Sequence, residues 1–236
     1  MTLIINRVRK IDEDLPSDIQ AEVDSRLAEI SKLLASIASE VQGINRFRYA
    51  RSMVCLEELA EALTFAHYIK TQTLITHDDL NLVVEDLTRR GAAVEDAVMA
   101  DADADEQPAT DKPDPQADAP TISLTDDDYV YGVFDLSGEM MRFATTTSAL
   151  TGKMASGHNG EDKRTIVEDM HDLGSFFEML PLRSGNRMTW EKKLEVMRQS
   201  VRKVEKLGYD RMIRGSERPE GWVPDLSSAD QPEFEE

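Results

Sequence analysis

Apolar positions recur at helical spacing through most of this chain. In LPSDIQAEVDSRLAEISKLLASIASEV, residues Ile19, Val23, Leu27, Ile30, Leu33, Leu34 and Ile37 predict one amphipathic helix, ended before Gly43. A second pattern predicts a helix from about Arg46 to Leu74. Thr76 is placed to cap a third, HDDLNLVVEDLTRR, with acids in its first turn and Gly91 as its close. Thr125 and the three aspartates after it start a fourth, which runs through Asp135 and Glu139 to about Leu150. After the loop TGKMASGHNG, a fifth helix is expected over about Asp162 to Leu180, and Thr189 is placed to cap a last long one. No proline falls between Pro16 and Pro108, between Pro120 and Pro181, or between Pro181 and Pro219, so long helices fit in those gaps. No strand pattern of comparable strength and no internal repeat appears. The expected fold is all-α, an antiparallel bundle of about six to seven helices. Residues 1–91 and 125–216 then belong to one domain.

Composition changes this picture in two places. Residues 92–124 are rich in alanine, aspartate and proline and read as a disordered acidic linker, and 217–236 read as a flexible acidic tail. Residues 91–128 hold twelve acids and one lysine, and residues 219–236 hold six acids and no base. Those two segments therefore carry −17 of the formal net charge of −19, and the remainder is near neutral. A near-neutral body does not repel nucleic acid as a uniformly acidic one does. No apolar run approaches the ~18 residues of a membrane span. The opening MTLIINRVRKIDEDLP lacks the layout of a signal peptide, and the lone Cys55 allows no disulfide within the chain. A soluble intracellular protein is the expectation.

Four carboxylates are the candidate chemistry. Glu58 and Glu61 share one helix face, as do Asp135 and Glu139. Each pair interrupts mostly apolar surroundings, where a carboxylate is costly unless a cation satisfies it. Two such pairs facing each other suit a hard divalent ion with oxygen ligands, Mg2+ or Mn2+. The competing reading is two solvated helix faces. Glu57 falls nearer the polar side with Thr64 and Thr71 and is the weaker candidate. Gly132 and Gly138 would admit a neighbouring helix. Glu168 and His171 form one Glu-x-x-His pair, but a di-iron bundle needs two such pairs. Cys55 reads as a small core residue. Candidate phosphate contacts are Lys70 and Arg142, on the ligand-bearing helices, and Lys192 and Arg202, in the basic stretch 183–218. That stretch also reads as an exposed helix laced with ion pairs.

LEELAEALTFAHYIKTQTLIT, YVYGVFDLSGEMMR and KKLEVMRQSVRKVEKLGYDRMIRGSERP together resemble the translin family. The likeness covers most of residues 19–218 outside the acidic linker, and Asp135 in DLSGE resembles the factor X branch and not translin itself. The resemblance implies a seven-helix-type fold and assembly with translin into a hetero-octameric barrel. It also implies metal-dependent endoribonuclease activity on single-stranded RNA, such as passenger-strand or transfer-RNA leader fragments. The family's catalytic carboxylates match Glu58, Glu61, Asp135 and Glu139, with Mg2+ or Mn2+ as cofactor. Cytoplasmic and nuclear localisation is implied as well. A non-catalytic helical scaffold that closes the barrel is the rival expectation. The family normally has a longer basic N-terminal region than the start seen here.

Overall fold

Caps and apolar spacing fold this chain into helices. The computed structural model describes residues 1–102, 119–157, 164–181 and 187–214. The α-helices among the described residues are α1 Thr2–Ile5, α2 Ser17–Ala38, α3 Ile44–Arg48, α4 Cys55–Thr71, α5 His77–Ala102, α6 Asp126–Thr151, α7 Ile166–Met179 and α8 Arg187–Arg214. A 3₁₀ turn, Ala50–Ser52, precedes α4. Strand pairing among these residues is limited to one isolated bridge, Ser156 with Thr165. The all-α expectation holds, and no helix here is long and apolar enough to cross a membrane.

Local chemistry sets several boundaries. Thr125 and Asp128 form a reciprocal capping box at the start of α6, and Thr165 with Glu168 does the same for α7. Glu168 is thus occupied as a cap, and His171 is exposed. Gly152 ends α6 at φ +73°, a conformation glycine adopts without strain.

Other boundaries differ from the periodicity. The expected Arg46–Leu74 helix is broken into α3 and α4, and the chain turns between them to bury Met53. Gly91 does not close α5, which continues to Ala102. A Cβ at Gly91 would lie 1.9 Å from the Ser31 carbonyl oxygen, so this glycine lets α2 and α5 touch. The alanine-rich residues beyond it favour helix. Residues 119–124, expected in the linker, are packed: Ile122 and Leu124 are buried, and the Leu124 N–H donates to Asn81. Thr189 lies inside α8 and is not its cap. Residues 1–16 carry a short helix and bury Ile5, Val8, Ile11 and Leu15. Cys55 is exposed, not core. Linker residues 103–118, loop residues 158–163 and the 217–236 tail lie outside the described residues.

Helix α6 lies at the centre, against α4 on one side and α7 and α8 on others. Phe134, Phe143, Phe65, Phe177 and Trp190 fill the space between them, with Phe134 and Trp190 edge-to-face at 5.0 Å. A second cluster joins α2, α4 and α5 through Leu34, Leu56, Leu80 and Val84, with Ile122 packed among them. Helices α4 and α6 approach closely at Gly132. A Cβ there would meet Ala60 Cβ at 2.7 Å, the Glu57 carbonyl oxygen at 2.9 Å and the Glu61 nitrogen at 3.0 Å. A Cβ at Gly138 would meet nothing within 4 Å. Gly132→Ala should therefore lower stability by about 1–3 kcal/mol through overpacking. Gly138→Ala should be neutral or stabilise by up to about 1 kcal/mol through helix propensity. Urea midpoints of the two variants measure this, and equal midpoints would contradict the contact.

Candidate functional site

The Gly132 contact decides which carboxylates meet. It seats the α4 backbone at Glu57 and Glu61 against α6, one turn before Asp135. Glu61 is half-buried, and Glu139 is buried at 6% exposure. Burial pushes the Glu61 carboxyl up to about 7, and the charges of Glu139, Asp135 and Glu58 push the same way against Arg142. The two predicted pairs thus share one electrostatic environment across the helix interface. Glu58 is exposed and also lines an apolar cavity of about 290 Å³ with Ile30, Leu34 and Ile37 of α2.

The partners of these acids come from three parts of the chain. Lys193 of α8 donates to both oxygens of Asp135, at 2.9 and 2.7 Å. Its Nζ lies 3.8 Å from Glu57 Oε2 and 5.4 Å from the Tyr131 ring centroid. Arg142 donates to Glu139 Oε1 at 2.7 Å, and the Asn6 amide donates to Glu139 Oε2 at 2.5 Å. Burial raises the Glu57 carboxyl, Lys193 opposes that, and Asp135 adds to it. Among the described residues, no three His, Cys, Asp or Glu side chains are grouped tightly enough to hold a metal ion. Basic and amide groups of the chain itself hold Asp135 and Glu139 in this arrangement.

The donor set nonetheless suits a hard cation in its chemistry. All its donors are oxygens, their charges repel one another, and Asn6 Oδ1 is buried beside them without a hydrogen-bond donor. Glu61, Asp135 and Glu139, with Glu58 at the rim and Asn6 Oδ1 behind, are the residues that would hold one.

The four basic candidates separate in space. Arg142 sits at the site through Glu139. Lys70 is at the far end of α4, bonded to Gln20 of α2 at 3.0 Å. Lys192 is exposed on α8. Arg202 lines the α7–α8 groove with Glu178, Arg198 and Glu205. Asn6 and Lys193 were not among the sequence candidates, and Glu57 was only the weaker one. Glu57 could have been found, since Glu57, Ala60, Glu61 and Thr64 share one face and Thr64 is fully buried. Lys193 and Asn6 reach the site from 58 and 133 residues away and leave no local signal.

A model of the Translin family matches residues 1–215. The chain belongs to the Translin family. Similar proteins include Translin-associated protein X from Pongo abelii, 29% identical over 89% of this chain and 67% of that protein. The Rattus norvegicus protein of that name is 27% identical over the same shares. A Translin-associated protein X homolog of Schizosaccharomyces pombe is 25% identical over 80% of this chain and 64% of its own. Membership of the family agrees with the helical architecture described above.

The raised Glu61 has a signed consequence. A carboxyl whose folded value lies above its ordinary 4.5 binds more protons folded than unfolded. Stability therefore falls as pH rises from about 4.5 to about 7. Glu61→Gln should flatten that slope and raise Tm at pH 8 by about 2–4 °C, the effect of roughly 1 kcal/mol in a domain of this size. Thermal melts at pH 4.5, 6 and 8 measure it, and a slope unchanged from wild type would refute the placement of Glu61.

Proposed function

We propose that this chain is the catalytic subunit of a translin-containing endoribonuclease that cleaves single-stranded RNA with a divalent metal, Mg2+ or Mn2+. The observation that carries this reading is the close packing of α4 on α6 at Gly132, which puts half-buried Glu61 in the field of Asp135 and Glu139. Carboxylates crowded in this way are costly to stability and are characteristic of functional sites. A divalent ion bound there supplies charge neutralisation at a phosphate and a water acidic enough to attack phosphorus.

The residues of the chain do the rest. Asp135 and Glu139, each kept in position by a hydrogen-bonded partner, would hold the ion. Glu61, whose carboxyl burial raises to about 7, would take the proton from the attacking water onto whichever oxygen did not ligate the ion. Arg142, half-exposed beside Glu139, is available to a phosphate oxygen of the substrate. A translin partner is supported by the names of the similar proteins. It also suits the large apolar side chains left exposed on α3 and α8: Ile44, Phe47, Met212 and Ile213.

Asp135→Ala and Glu61→Ala should each reduce RNA cleavage by about 10²-fold or more while co-purification with translin persists. EDTA should abolish the wild-type activity. Full RNase activity in either variant complex would refute the assignment. Lys192→Glu should weaken RNA binding and lower the slope of log K against log salt by about 1. An unchanged affinity and slope would remove Lys192 from the RNA surface.

A further inference from the structure

We propose that Lys193 is the resident counter-cation of the carboxylate cluster, competing with a divalent ion for Asp135 and so setting the metal affinity of the site. This rests on the reading of the cluster as a metal-dependent phosphodiester site.

Three features single out Lys193. Its ammonium bonds both oxygens of Asp135, so it occupies the face on which a metal ion would be held by both. It bridges helices, because Asp135 is on α6, Glu57 on α4 and Lys193 on α8. Its remaining surroundings, Glu57 and the Tyr131 ring, also favour a cation. Arg142 differs in each respect. It reaches Glu139 through one bond, from one turn away on the same helix, and is 53% exposed against 22% for Lys193.

The ammonium sits between the two oxygens of Asp135, so a metal ion taking both of them on that same face requires the ammonium to move. Lysine suits such an exchange, because its compact charge sits on a flexible four-carbon stem and is readily rehydrated. Once displaced, the ammonium remains at the rim of the site as a free charge for a substrate phosphate. Lys193 is thus a positioning residue that acts through Asp135. It is distinct from Lys192, its exposed neighbour.

The test is Mn2+ binding to the full chain by isothermal titration calorimetry at fixed ionic strength, independent of nuclease activity. Lys193→Met should bind Mn2+ about tenfold more tightly than wild type, because one favourable competitor for Asp135 is gone. Lys193→Arg should stay within about twofold of wild type, since a guanidinium restores the pairing. A residue that merely supported the fold would lower Tm in Lys193→Met with no gain in Mn2+ affinity. Should Lys193→Met fail to fold, Lys193→Gln carries the same expectation. Wild-type binding with equal or weaker binding in Lys193→Met overturns the inference and leaves the metal reading standing. No Mn2+ uptake by either protein overturns both.

Discussion

The contact between Gly132 and Ala60 is the constraint on which the site depends. With no side chain at Gly132, α6 comes within van der Waals reach of the α4 backbone at Glu57 and Glu61. The side chains that follow on each helix have no freedom to avoid one another. Glu61 then lies in the field of Asp135 and Glu139, at a depth where water screens poorly. Apolar packing holds the arrangement against that repulsion. Leu136, Met140 and Phe143, interleaved with Asp135 and Glu139 on α6, are buried almost completely.

Charge balance is then supplied from a distance. Lys193 comes from the last described helix, Asn6 from the first described segment, and only Arg142 is local. The pocket is therefore a product of the whole bundle, and its electrostatics respond to any shift of α8 or of residues 1–16. The buried Asn6 Oδ1 without a donor and the raised Glu61 carboxyl mark a cluster in which polar groups are not fully satisfied. Such residual cost is the expected sign of a site shaped for something other than stability.

Much of this was legible from residue order. Glu61, Asp135 and Glu139 come into one another's field across α4 and α6, because residues three or four apart share a helix face and because Gly132 marks a close approach, while Glu58 is exposed beside α2. Thr125 with Asp128 and Thr76 with Asp79 cap their helices as their spacing implies. Other local signals misled. Gly91 resembles a helix stop but serves a crossing, Cys55 lies in an apolar run yet faces outward, and Glu57 was assigned to a polar side that proved to face α6. In each case the local pattern was compatible with two environments, and the neighbouring helix chose between them.

The sequence by itself determined that the chain is helical, where α2, α5 and α6 begin, and which acids share a face, because those properties depend on residues within one or two turns. Only the tertiary structure decided which faces meet, how deeply Glu61 is buried, and that Lys193 and Asn6 hold Asp135 and Glu139. Those outcomes depend on side-chain volume and charge at positions far apart in the chain, where no spacing rule operates.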